Sequence, residues 1–287
     1  MSEPDGFEVD IELAFPPLEA EGWRFGAVNW RSPSVRWRDF DAVYIGAAWD
    51  YPEEPQRFVD VLESIVQSGT VLVNDISLVR WTLAKTYLRD IEQRGANIVP
   101  SLWYESFDRQ AVEDAFDKFG NERIIIKPVV STNATDTHLL TKERVAAMAA
   151  ELQSIFEDRP FVIQDFIPNI QTEGEYSLFF FDGVYSHAVR KVPAEAEFRV
   201  QEQFGAEIID VEPEPDVLAA GCSIIRLVDP TPVYARVDLV RGDARVPLLM
   251  ELELIEPSMY LRKSPQAPVR FAAAFNRYFN NKSGGDA

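Results

Sequence analysis

The segment "LLMELELIEPS", Leu248 to Ser258, opens as a buried β-strand and then carries a charge problem. Strand side chains alternate between faces, so Glu251 and Glu253 point the same way, with Leu252 and Leu254 on the other side. Two carboxylates one pleat apart repel, and partial burial in an apolar run makes that worse. Just upstream, "YARVDLVR" places Asp238 on a strand that a turn at Gly242-Asp243 folds back against "MELEL". Three carboxylates on adjacent strands can surround one hard cation. Mg²⁺ commonly takes a few carboxylates, keeps some waters and fills its other positions with substrate phosphates. The competing reading is a solvated strand face with its acids pointing outward. The Val, Leu and Met residues on both sides argue against it, because they make these strands more buried than an exposed face. By alternation Glu256 falls on the opposite face, just before Pro257, and is left out of the metal set.

If a cation and phosphates meet here, basic side chains should converge on them. Lys127 interrupts the apolar run "RIIIKPVV", and lysine inside a buried strand is unusual unless paired. The alternative is a strand-end lysine reaching to solvent. Arg236 lies two residues before Asp238 and shares its face. Arg190 and Lys191 end the hairpin "YSLFFFDGVYSHAVRKV", and Arg199 follows in "EFRVQ". Each alone reads as an ordinary surface charge; together they sit near strand ends of an otherwise acidic protein. There is no GxxxxGK[ST] and no GxGxxG. The loop "VVSTNATDT" after Lys127 has no glycine but is rich in small hydroxyl and amide side chains. It could offer backbone N–H groups to phosphate, or be an ordinary turn.

The 287-residue chain carries 28 basic and 47 acidic residues, a net charge of −19, which argues against nucleic acid as a bulk partner. At 46% hydrophobic and 26% charged it reads as globular. No apolar run approaches the roughly 20 residues that span a bilayer, and the acidic opening "MSEPDGFEVD" is unlike a signal peptide. A single cysteine, Cys222, excludes an internal disulfide framework and points to a reducing, cytoplasmic setting; "LAAGCSII" places it as helix packing. His138 and His187 have no evident metal partners and read as structural, although His187 lies near enough to the hairpin end to touch a substrate.

Apolar periodicity lays out three parts. The first, residues 1–82, reads as an α/β lobe with a parallel sheet. It has a helix over 11–22, strands "RFGAVNW" and "FDAVYIGA", a helix in "PEEPQRFVDVLESIVQSG", the strand "VLVN", and one long helix over "DISLVRWTLAKTYLRDIEQRG". The second, residues 83–166, reads strand "NIVPSLW", helix "RQAVEDAFDKFG", strands "RIIIKPVV" and "HLL", helix "TKERVAAMAAELQSIFEDR" and strand "FVIQDFI". The third, residues 167–287, is two hairpins with helices at "PEPDVLAAGCSIIRLV" and "PVRFAAAFNRYF", a largely antiparallel α+β lobe.

This layout resembles the ATP-grasp superfamily, the fold of glutathione synthetase and D-alanine–D-alanine ligase, over roughly residues 75–260. The run "YSLFFFDGVYSHAVRKVP…FRVQEQFG…YARVDLV…LLMELELIEPS" is similar to the branch that holds the cycloserine-pathway O-ureido-serine cyclo-ligase and many glutathione-synthetase-like proteins. The resemblance implies that an α/β lobe precedes a two-lobed ATP-grasp fold with antiparallel sheets. It implies ATP and Mg²⁺ as cofactors, with Asp238, Glu251 and Glu253 as metal ligands; glutathione synthetase has asparagine at the last position. Lys85 and Lys127 would contact the nucleotide. Gln164, Asp165, Phe166 and Ile167 would form the adenine hinge, and Glu175 would bind ribose. Lys191, Arg199 and Arg236 would surround the γ-phosphate and an acylphosphate. Gln201 stands where such enzymes have the asparagine of "R-x-N", and Pro257-Ser258 fits their "P-[ST]".

Three departures stand out. The loop Ser131 to Thr137 lacks glycine. Ser177 stands where several peptide-forming members have arginine. The chain also opens past the β-strand with which such enzymes begin, so either the start is set late or the first lobe lacks one strand. The implied activity is an ADP-forming ligase that joins a small amino-acid-like carboxylate to an amine or closes a ring. A small-molecule kinase and a nucleotide-binding module without turnover are the alternatives. Small-molecule substrates are expected, with no nucleic-acid or membrane partner, and a homodimer is among the states seen in such enzymes.

Overall fold

The computed structural model describes residues 10–283. The reading of the opening "MSEPDGF" lies outside them. A 3-10 turn at Ile11–Ala14 runs into α1 (Phe15–Glu19), so the helix expected over 11–22 is short, with Pro16 in its first turn. "RFGAVNW" is not a strand: residues 24–30 join no ladder. Side chains hold the segment instead, with Phe25 stacked on Phe15 and Trp30 edge-on to Phe58. The parallel sheet is the pair β1 (Ala42–Tyr44) and β2 (Val71–Val73). Between them runs α2 (Pro55–Gln67), with proline in its first turn; its Phe58, Leu62 and Ile65 repeat at helical spacing and are buried.

The long helix expected after β2 is two. Asp75 caps α3 (Ile76–Thr82) by accepting from the Ser77 N–H at 3.0 Å, and α4 (Tyr87–Gln93) follows a break. In the break the Lys85 N–H donates to the Val129 carbonyl at 2.8 Å. Apolar spacing continues across the gap, so periodicity cannot reveal it. Tyr87, Leu88 and Ile91 of α4 are buried in the same core as the strands that follow.

A four-stranded antiparallel sheet comes next, with β3 (Ser101–Tyr104), β4 (Ile124–Pro128), β5 (His138–Leu140) and β6 (Phe161–Asp165) in the order β3-β6-β4-β5. Its helices are α5 (Arg109–Phe119), and α6 (Lys142–Ala147) with α7 (Ala149–Phe156), which divide at Met148 the helix expected there. Phe116, Leu152 and Phe156 pack on Ile124, Ile126, Phe161 and Ile163.

After the short α8 (Asn169–Thr172) come β7 (Glu175–Phe181) and β8 (Val184–Val192), joined through Asp182-Gly183 at φ +53° and +72°, as a tight hairpin requires. β9 (Glu207–Asp210), α9 (Pro215–Ile225), β10 (Tyr234–Arg241) and β11 (Pro247–Glu253) complete a five-stranded antiparallel sheet, β11-β10-β7-β8-β9. One face carries Leu178, Phe180, Val237, Leu239 and Leu252 into the core under α9 and α4. Gly221 lets α9 approach closely, since a Cβ there would lie 2.7 Å from Leu178 Cδ2. Cys222 beside it is partly buried against that core, as its setting implied.

On the other face, Phe179, Phe181 and Tyr234 pack with Phe271 and Phe275 of α10 (Ala267–Ser283), together with Ala14, Leu18 and Val73. The first and last parts of the chain therefore share one core. Register places Asp238 opposite Glu251, Arg236 opposite Glu253, Ser177 opposite Asp238 and Lys191 opposite Glu175. All the charges this register brings together lie on that second face. Among the described residues no helix is long and apolar enough to cross a membrane.

Candidate active site

The three carboxylates do converge. Asp238, Glu251 and Glu253 each offer an oxygen within 4.8 Å of the others. Opposite ligands of a Mg²⁺ ion are about 4.2 Å apart, so small side-chain movements would let this set hold one. Cations of the protein also engage the set. Arg236 Nε donates to Asp238 Oδ1 at 2.9 Å and its Nη2 to Oδ2 at 2.9 Å and to Glu253. Lys85 Nζ lies 3.1 Å from Glu251, and Lys191 Nζ 3.8 Å from Asp238. The Ser177 hydroxyl donates to Asp238 at 2.6 Å. Ser177, noted as a departure, thus props the candidate metal site.

Burial by itself would raise each carboxyl; the neighbouring cations decide the outcome. At Asp238, Arg236 and Lys191 outweigh burial and hold the group below the usual range. At Glu251, Lys85 and Lys127 do the same. At Glu253 burial prevails over Arg236, and Glu251 and Asp238 add repulsion, which pushes it up to about 7. Its side chain keeps 29% exposure, so it is open on one side to the cleft.

The break between α3 and α4 puts Lys85 in the site. Its Nζ donates to the Ser131 carbonyl at 2.9 Å and reaches Glu251, which ties the β4 loop to β11. Lys127 enters from β4, 9% exposed, and burial with Lys85 nearby lowers it to about 8 despite Glu251. It is a buried lysine facing the cleft and does not reach to solvent. The loop after it has Asn133 and Ala134 in the left-handed region, at φ +53° and +56°, a conformation more usual for glycine. Thr132 Oγ1 donates to the Trp49 carbonyl at 2.8 Å and anchors the loop to the first lobe.

Gln164, the next to last residue of β6, has its amide on Ser101 Oγ at 3.0 Å. Asn121 donates to Asp165 and to the Phe166 carbonyl, fixing the segment that leads to Ile167. Around it Val99, Phe166 and Val200, with Ile125, Ile167 and Met250 partly buried, make an apolar slot of the kind a purine ring occupies. Glu175 is 5% exposed and pairs with Lys191 at 2.9 Å. Arg199 pairs with Glu197 at 2.6 Å and lies 3.7 Å over the Phe204 ring. Its Nε and the Oε1 of Gln201 are buried without a hydrogen-bond partner, which leaves a donor and an acceptor for a ligand.

One cleft of about 210 Å³ is lined by Lys85, Lys127, Gln164–Ile167, Glu175, Lys191, Arg199, Arg236, Glu251 and Glu253. Asp238 lies just beneath, 2% exposed. Arg190 faces away, beside Tyr176 of β7. His187 does not reach the cleft: it stacks on Phe179 at 4.4 Å and Nε2 contacts the Met259 carbonyl at 3.0 Å. Sequence reasoning missed Trp49 and Tyr51, which line the cleft from a segment without charge pattern. It also placed Glu256 on the wrong face. β11 ends at Glu253, strand alternation stops there, and Glu256 turns into the cleft.

The family "Prokaryotic glutathione synthetase, ATP-grasp domain" matches residues 102–216, and "D-cycloserine synthetase DcsG, N-terminal domain" matches residues 1–74. The cycloserine biosynthesis protein DcsG of Streptomyces lavendulae is 29% identical over 285 residues, covering 94% of this chain and 95% of that protein. The crystal structure of D-cycloserine synthetase DcsG superposes with a TM-score of 0.81 at 26% identity, over 93% of this chain and 94% of that one. D-alanine–D-alanine ligase from Bacillus anthracis shares the fold, with a TM-score of 0.61 at 16% identity over 79% and 77% of the two chains. Residues 102–216 thus match an ATP-grasp domain, and the chain, similar to DcsG over nearly its whole length, is an ATP-dependent carboxylate–amine ligase.

Proposed function

We propose that the protein activates the carboxylate of a small amino-acid-like molecule as an acylphosphate, which a nitrogen nucleophile of a second molecule or of the same one then attacks. A carboxylate oxygen bonds to the γ-phosphorus of ATP as the bond to ADP breaks. The nucleophile then bonds to the acyl carbon, inorganic phosphate leaves, and the nitrogen gives up a proton. The observation that carries this reading is the carboxylate trio under a cleft that Lys85, Lys127, Lys191, Arg199 and Arg236 surround. Mg²⁺ held by Asp238, Glu251 and Glu253 would neutralise charge on the phosphates.

In this reading Lys85 and Lys127 hold the phosphates, and the slot at Gln164–Ile167 takes adenine. Glu175 takes ribose. Lys191, Arg199 and Arg236 hold the transferring phosphoryl group, where preorganised cations do most of the catalysis. The cleft draws residues from each of the segments 1–82, 83–166 and 167–287, which we take as the three domains. Near full-length similarity to the cycloserine protein supports ring closure as one form of the reaction.

The test is ADP release in Mg²⁺ and ATP against amino acids offered singly and in pairs, with hydroxylamine as trap. An acylphosphate gives a hydroxamate. Turnover that gives a phosphorylated alcohol and no hydroxamate would overturn the proposal.

A further inference from the structure

Building on that function, we propose that Glu256 is the substrate's ammonium anchor, a specificity-determining carboxylate at the junction of the cleft and a side pocket. Glu256 is 8% exposed and lines both the main cleft and a second pocket of about 20 Å³. That smaller space suits about one water molecule. The larger one therefore has to accommodate the substrate.

Four other carboxylates of the site each have a cation, while Asp165 at the hinge accepts from the Asn121 amide. Arg236 and Lys191 hold Asp238, Lys85 holds Glu251, Arg236 holds Glu253, and Lys191 holds Glu175. Asp10, across the small pocket, is paired with Arg262 at 3.4 Å. Among the described residues none donates to the Glu256 carboxyl or ion-pairs with it. What fixes Glu256 is its main chain, whose carbonyl accepts from Trp49 Nε1 at 3.0 Å. Burial, with Glu253 and Glu251 nearby, disfavours the charged form of Glu256, and a cation brought by a ligand would offset that cost.

The chemistry of the surroundings selects the cation. Tyr44 and Trp49 stand with Glu256 around the small pocket, and Trp49 and Tyr51 stand with it in the cleft. Aromatic walls with one carboxylate favour a compact ammonium group. The rest of the cleft supplies the complementary half: five cations suit phosphates and the substrate carboxylate, and none of them recognises an amine. One end of an amino acid then lies at Arg236 and Lys191, and its ammonium at Glu256.

The experiment uses the full chain with Mg²⁺ and a nonhydrolysable ATP analogue, with binding measured by calorimetry. The probes are D- and L-alanine and D- and L-serine, each against its hydroxy-acid twin, lactate or glycerate. We expect the parent to bind at least one amino acid tenfold or more tightly than its twin. Glu256→Gln should reduce that preference to less than twofold with the affinity for the ATP analogue unchanged, and Glu256→Asp should restore part of it. A parent that prefers no amino acid over its twin overturns the assignment. So does a Glu256→Gln variant that keeps the preference, as it would if Glu256 were a protonated structural acid. Failure of the parent to bind the ATP analogue would instead overturn the proposed function on which the assignment rests.

Discussion

Arg236 and Asp238, two residues apart on β10, grip each other in a two-pronged ion pair, Nε to Oδ1 and Nη2 to Oδ2 both at 2.9 Å. Asp238 is 2% exposed, so the pair has a structural role as well as any chemical one. In Arg236→Met, Lys191 at 3.8 Å remains as the cation nearest Asp238. Breaking a buried pair from one side costs about 3–5 kcal/mol. Lys191 compensates in part, so a loss of about 3 kcal/mol is expected in urea unfolding. An unchanged midpoint would show that the pair does not hold the sheet face together.

Glu251→Gln and Lys127→Ala should each lower ADP release by about 100-fold or more, the scale on which one fixed electrostatic group acts on a transition state. Near-ultraviolet circular dichroism should remain that of the parent. Near-normal turnover in both variants would sink the assignment of the cleft.

His187 predicts an acid limb. Burial lowers its imidazole from 6.5 to about 4, with Arg270 adding to the effect and the backbone carbonyls of Met259 and Tyr260 opposing it. The unfolded chain therefore takes up the proton first as pH falls. Its contribution is fully present above 6.5 and is lost as pH falls toward 4. The size is on the order of 3 kcal/mol. In His187→Gln, stability against pH should be flatter across that window, whatever the absolute stability. A slope equal to the parent's would mean that other groups set the limb.

Gly174 precedes Glu175 at φ +99°, and a Cβ there would lie 2.5 Å from the Lys191 carbonyl oxygen. Gly174→Ala should cost about 1–3 kcal/mol through left-handed strain and that clash. Because the strained point adjoins the Glu175–Lys191 pair, the KM for ATP should rise as well. A variant with parental stability and KM would mean the backbone relaxes freely.

How far the sequence was legible depended on which physical rule each feature obeyed. The hairpin at Asp182-Gly183 and the same-face glutamates 251 and 253 follow from turn chemistry and strand alternation, which are local. "RFGAVNW" misled because alternation shows a strand's faces and cannot show whether a partner strand exists. The helix after β2 misled because apolar spacing runs through the break, whereas the break itself is made by the Lys85 N–H bonding Val129.

The sequence by itself determined the carboxylate pair on β11, the opposing Asp238, the cations near them and hence the chemistry they suit, because alternation and charge are written into a single strand. Only the tertiary structure decided which cation meets which acid. Arg236 bridges Asp238 and Glu253, Lys85 reaches Glu251 from a helix break, and Ser177 supports Asp238. It also brought Trp49 to the cleft and turned Glu256 inward, past the end of the strand whose alternation had assigned it elsewhere. Apart from the Arg236–Asp238 pair, those relationships join residues separated in the chain, and no local periodicity encodes them.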